Sequence, residues 1–189
     1  TRPDRQDEIA VVGATLLAGI GLYRGFKELF ALPRPNEPPV ATAWFPDLLQ
    51  PLWESIVAPA SYGFPSGHAT SATIVYVGLA AVLTVGARRR RFAVAGLLVG
   101  VVSLSRILLG VHYLVDVVAG TALGLCLVAL GVWALQTQRL TALFALAVLA
   151  AGFAVLTSHA GFEAVLLLGA TLGAFLGWQV VALARERPA

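Results

Sequence analysis

The chain has 189 residues, of which 58% are hydrophobic and 12% charged, and its mean hydropathy is +0.83. That balance excludes an ordinary soluble globular domain. The formal net charge of +3 is spread over separate segments that mark topology, so it does not read as a nucleic-acid surface. What remains is an integral membrane protein, read as a single domain over 1–189.

Continuous apolar runs without period-two alternation predict helices rather than a barrel. The first run, 9–30, is long enough to span a bilayer core and reads as a retained helix rather than a cleaved signal. The sequence contains no Met, which reads as a processed or trimmed start. Lys27, the only lysine in the chain, lies near the end of this run. Eight of the ten prolines fall between Pro33 and Pro65, so the segment 31–65 cannot be one continuous helix. Its Trp44, Phe45, Trp53, Tyr62 and Phe64, mixed with Asp47 and Glu54, suit a loop lying in the headgroup layer.

Five further apolar runs follow, at 69–85, 92–109, 114–135, 140–157 and 162–184. The expected fold class is therefore all-α, a polytopic membrane bundle of about six transmembrane helices. If the N-terminus is cytoplasmic, then Arg2, Arg5, the arginine run 88–91, Arg139, Arg185 and Arg187 all fall on the cytoplasmic side. Glycines four apart (Gly21/Gly25, Gly96/Gly100, Gly120/Gly124, Gly169/Gly173/Gly177) are expected to let helices approach closely. Cys126 is the only cysteine, which excludes an internal disulfide; it is expected to be a small buried residue.

The chemistry-bearing residues gather on the opposite, outward side. Lys27 and Arg34 bracket the end of the first helix, Pro65-Ser66-Gly67-His68 opens the second, Ser105-Arg106 ends the third, and His112 and Asp116 open the fourth. Ionisable groups at membrane depth are costly, and several arriving at one level read as a site. Three cations, Lys27, Arg34 and Arg106, suit a phosphoryl group. Ser66 and Gly67, just before a helix, offer a hydroxyl and backbone N–H groups to the same anion. His112 and Asp116 are four residues apart, which puts them on one helix face and lets the carboxylate hold the imidazole. A neutral, oriented imidazole is a competent nucleophile, and His68 is able to protonate a departing oxygen. Each residue alone also has a plainer role, Ser66 as a helix N-cap above all. Arg24 reads as a snorkelling interface residue, and His159 and Glu163 as solvated loop residues.

Taken together, Lys27, six residues, Arg34-Pro35; then Pro65-Ser66-Gly67-His68; then Ser105-Arg106, five residues, His112, three residues, Asp116 resemble the three motifs of the type 2 phosphatidic acid phosphatase superfamily. The resemblance implies His112 as nucleophile, Asp116 as its orienting partner and His68 as the acid toward the leaving group. It implies that Lys27, Arg34, Ser66, Gly67 and Arg106 hold the phosphate, and that no metal cofactor is used. The implied substrate is a lipid phosphate or diphosphate, with polyprenyl diphosphate, phosphatidylglycerol phosphate, phosphatidic acid and shorter isoprenyl phosphates all offering the same terminal group. Members of that family commonly have a helix before the one leading into the first motif, and here that helix is the first.

The expected function is thus a multi-pass lipid phosphatase of the cell membrane, working through a phosphohistidine, with its site away from the cytoplasm. A phosphotransferase passing the group to an alcohol, and a non-catalytic protein that binds or transports anionic lipids, are the alternatives. Oligomeric state is not readable, because glycine motifs pack helices within or between chains alike.

Overall fold

The computed structural model describes residues 5–35, 40–58 and 61–186, so Arg2 and Arg187 lie outside the described residues. Seven α-helices follow in order: α1 (Arg5–Phe30), α2 (Gln50–Val57), α3 (Gly67–Val82), α4 (Arg88–Leu108), α5 (Leu114–Gln136), α6 (Leu140–Thr157) and α7 (Phe162–Glu186). Among the described residues there is no strand. The protein is a polytopic helical bundle of the kind that membranes require, because a helix satisfies its own backbone where no water can.

Local chemistry sets the ends. Helix α1 stops where Ala31 turns left-handed (φ 47°) and Leu32-Pro33-Arg34-Pro35 denies further helix. Helix α3 starts at Ser66, which follows Pro65 and whose hydroxyl accepts from the Ala69 N–H. Helix α4 ends before Gly110, at φ 66°. Helix α5 opens with a capping box in which Asp116 accepts from the Tyr113 N–H.

Five helices, α1, α4, α5, α6 and α7, are long and apolar enough to cross a membrane. The run predicted over 69–85 is shorter than expected: α3 has 16 residues, about 24 Å at 1.5 Å per residue, and Leu83 turns to extended backbone ahead of the left-handed Gly86. The Pro-rich segment holds a 3₁₀ turn at Thr42–Trp44 and the two-turn α2. Trp44, Leu48 and Leu52 are exposed there, as side chains entering a headgroup layer would be.

Helix α1 is the hub. It packs on α3, α5 and α6 and touches α7, while α4 lies outside α3 and α7 outside α6. One buried cluster joins Val11 and Ala14 of α1 to Val82, Leu135, Leu143 and Phe144, and a second joins Ile74, Leu127 and Val128. Arg185 on α7 bonds Asp7 on α1 at 2.7 Å, so the start of α1 and the end of α7 share one side with Arg5, the arginine run and Arg139.

Two of the predicted glycine pairs sit at helix crossings. A Cβ on Gly21 would lie 2.5 Å from the Ala150 backbone, and one on Gly120 would lie 2.5 Å from the Ser66 carbonyl oxygen. Gly96, Gly100, Gly169, Gly173 and Gly177 meet open space instead, because they lie on outward faces of the peripheral α4 and α7. Cys126 is likewise exposed, contrary to expectation: the α5 face carrying Gly120, Gly124, Leu127 and Val128 is the one turned inward, and Cys126 points away from it. Gly120→Ala is expected to destabilise the protein by about 1–3 kcal/mol, and Gly96→Ala to leave stability unchanged or raise it by up to about 1 kcal/mol. Thermal unfolding of both variants in detergent checks this, and equal losses would contradict the packing described.

Candidate active site

Four stretches of chain meet where α1 ends and α3 and α5 begin. The Ser66 N–H donates to the Asp116 carbonyl at 2.9 Å, and the Gly63 N–H to the Leu32 carbonyl at 2.8 Å. These backbone bonds tie the second motif to the third and to the first. Gly120 allows the α3–α5 contact, since any side chain there would strike Ser66 and Thr70.

Lys27 is buried (6% exposed), and its ammonium donates to the Tyr62 carbonyl and to Ser61 Oγ. Arg34 donates from Nε to the Ser61 carbonyl at 2.7 Å and from a terminal nitrogen to the Val111 carbonyl at 3.1 Å. Both cations are thereby held by the returning end of the Pro-rich segment. Ser61 and Tyr62 contribute chiefly carbonyls, which every residue has, so no sequence signal marks them.

His112 is 2% exposed. Its Nδ1 lies 3.3 Å from Asp116 Oδ2, the same oxygen that accepts from the Tyr113 N–H at 2.9 Å. Its other ring nitrogen, Nε2, is buried without a hydrogen-bond partner. Burial first, then the charges of Arg34, Lys27, His68 and Arg106, push the His112 pKa down to about 3. At neutral pH the ring is therefore uncharged, and the contact with Asp116 is an Nδ1–H donating to a carboxylate rather than a pairing of full charges. That assigns the lone pair to Nε2.

A cavity of about 910 Å³ opens at this point, and Lys27, Arg34, Gly67, His68 and His112 all line it. His68 is exposed at its mouth. Two of the predicted phosphate ligands stand apart. Ser66 is fully buried with its hydroxyl spent on the α3 cap, and Arg106 bonds Ser105 Oγ at 3.3 Å outside the lining. The first N–H groups of α3, at Gly67 and His68, have no carbonyl partner within the helix. A Cβ on Gly67 would meet the Tyr23 ring at 2.7 Å, so the ring packs directly over this start of the helix.

Two readings from the sequence are corrected here. Arg24 is not a lone snorkelling residue, and Glu163, whose side chain is 74% exposed as a solvated residue's would be, stands in the first turn of α7 rather than in the loop. Arg24 pairs with Glu163 Oε2 at 2.6 Å, from α1 to the first turn of α7, and both line the cavity. Their separation of 139 positions hid the pair. His159 is exposed on the α6–α7 loop.

A family model described as the PAP2 superfamily matches residues 8–140, which is most of the chain and includes every motif residue from Lys27 to Asp116. The chain belongs to the PAP2 superfamily. Within it, this PAP2 chain is 36% identical over 122 residues to a decaprenylphosphoryl-5-phosphoribose phosphatase of Mycobacterium tuberculosis, covering 65% of this chain and 58% of that protein. It is 34% identical over 85 residues to a phosphatidylglycerophosphatase B of Bacillus subtilis, covering 42% of each. The chain thus spans less than two thirds of the length of these curated relatives. No solved structure matches it.

Proposed function

We propose that this PAP2 protein is an integral membrane lipid phosphatase that removes a terminal phosphate from a lipid phosphate through a phosphohistidine on His112. One observation carries the reading: a buried, uncharged imidazole, held by Asp116 through Nδ1 and unpartnered at Nε2, on the floor of a cavity lined by Lys27 and Arg34. Binding alone needs the cations but no oriented base. The two relatives are named as phosphatases of lipid-linked phosphates, which supports the same reaction class.

In the proposed cycle, Lys27, Arg34 and the N–H groups at the start of α3 hold the phosphate oxygens, Ser66 fixes that start, and Arg106 adds its positive field to the histidines from outside the lining. His112 Nε2 attacks phosphorus, the bond to the leaving oxygen breaks, and His68 gives that oxygen its proton. Asp116 stabilises the positive charge the ring acquires. Water then attacks the phosphohistidine, losing its proton to His68, and inorganic phosphate leaves. The arginine-rich side lies away from the cavity, which supports an active site on the extracytoplasmic face of the cell membrane.

Among the described residues no three His, Cys, Asp or Glu side chains converge to hold a metal ion, and the proposed chemistry uses none. Purified protein in detergent is expected to release inorganic phosphate from lipid phosphates with EDTA present. Because His112 has its pKa near 3, well below its ordinary 6.5, the nucleophile stays unprotonated as pH falls from 7 toward 4, so no acid limb from it should appear in that range. EDTA-sensitive release would overturn metal independence, and no release from any lipid would overturn the phosphatase reading.

A further inference from the structure

The cavity is far larger than a phosphoryl group needs, lying near the top of the roughly 300–1,000 Å³ range that accommodates whole small ligands. The part of the substrate next to the scissile phosphate must therefore share it. The wall beyond the cations is mostly apolar, with Val75, Val102 and Phe162, and the few charged groups set into it, Arg24, Glu28 and Glu163, are nearly balanced. Arg24 and Glu28, four apart on one face of α1, line it from one side, and Ser158 and Glu163 come from the far side.

We infer that the Arg24–Glu163 pair is a specificity determinant that selects an uncharged, hydroxyl-bearing spacer directly beside the scissile phosphate, as in a lipid-linked glycerol or sugar phosphate, over a second phosphate at that position. The inference rests on the phosphatase reading given above and deepens it.

Charge supports it. A diphosphate would put its second anion against a wall whose arginine is already neutralised by Glu163 at 2.6 Å and which carries Glu28 besides. Hydroxyls meet no such repulsion. A carboxylate has about four acceptor sites, so Glu163 keeps capacity for a substrate O–H while bound to Arg24. Specificity from hydrogen bonds to substrate hydroxyls is steep, because an analogue lacking them leaves the site's polar groups unpaired.

The backbone holds Glu163 in place for this task. His159 and Ala160 are consecutive non-glycine residues with left-handed backbone, φ 50° and 62°, a conformation with a strain cost that concentrates at functional sites. The turn closes with the Ala160 N–H on the Val155 carbonyl at 2.9 Å and the Gly161 N–H on the Ser158 carbonyl at 3.2 Å. Helix α7 then starts at Phe162, which puts Glu163 in its first turn, where the helix dipole favours a carboxylate.

The test compares kcat/KM in detergent for phosphatidylglycerol phosphate, phosphatidic acid and a polyprenyl diphosphate, in the wild type and in Glu163→Gln and Arg24→Gln. The wild type is expected to prefer phosphatidylglycerol phosphate, whose spacer carries a free hydroxyl. Each variant should reduce that preference over phosphatidic acid roughly tenfold, the size of a lost hydrogen bond to a charged group. A merely structural pair would lower all three rates together and leave the ratios unchanged, which would overturn the inference. Wild-type preference for the diphosphate would overturn it too, while leaving the phosphatase reading intact. Hydrolysis of none of the three would remove the phosphatase reading itself.

Discussion

His112→Ala is expected to abolish phosphate release, by on the order of 10⁴-fold or more, since removing a nucleophile leaves only the binding groups to act. The protein should remain folded, because the surrounding backbone is held independently of the ring: the Ser66 N–H on the Asp116 carbonyl, and the Asp116 side chain on the Tyr113 N–H. Removing the buried ring costs some packing, which lowers stability without touching the backbone bonds that hold the site together. Two measurements are needed together, thermal unfolding to establish the fold and phosphate release to read turnover. Brief incubation with a ³²P-labelled lipid phosphate, followed by a denaturing quench, should also leave acid-labile, base-stable label on the wild type and none on the variant. Undiminished turnover by a folded His112→Ala protein would sink the proposed mechanism.

The second large effect is at Asp116, where two functions meet on one oxygen. Oδ2 accepts from the Tyr113 N–H, which caps α5, and from His112 Nδ1, which orients the ring. Asp116→Asn keeps an oxygen for both and loses only the charge. It is expected to fold normally and to lose roughly 10²–10⁴ in kcat, the range spanned when a histidine loses its carboxylate partner. Asp116→Ala loses the cap as well, and should be less stable by about 1 kcal/mol. A kcat for Asp116→Asn within a few-fold of wild type, in a protein of unchanged thermal stability, would mean that the carboxylate is a cap and nothing more.

These residues were legible in the sequence because their chemistry is local. His112 and Asp116 are four apart on one helix, Ser66 precedes the helix that Pro65 forces to begin, and Lys27 and Arg34 straddle the end of α1. Continuous apolar runs located the six long helices within a few residues, and the prolines marked the one segment unable to continue as helix. Where expectations failed, the missing information was which way a helix faces. Gly21 and Gly120 meet a neighbour, whereas Gly96 and Gly173, with the same spacing pattern, meet open space. Cys126 turned outward for the same reason. In lipid an apolar residue is equally at home on either face, so composition alone does not separate a buried stripe from an exposed one.

The amino-acid sequence by itself determined the fold class and the family, and marked the residues proposed to handle a phosphoryl group, since each depends on residue type and short-range spacing. Only the tertiary structure decided how that set is shared out. It put Ser66 behind the cavity and His68 at its mouth, left His112 Nε2 without a partner, and used the Ser61 and Tyr62 backbone to hold the two cations. It also brought Arg24 and Glu163, 139 positions apart, together in the cavity lining. The physical reason is that a long-range ion pair forms only after α1 and α7 have packed on their common neighbour α6, and nothing local to either residue encodes that meeting.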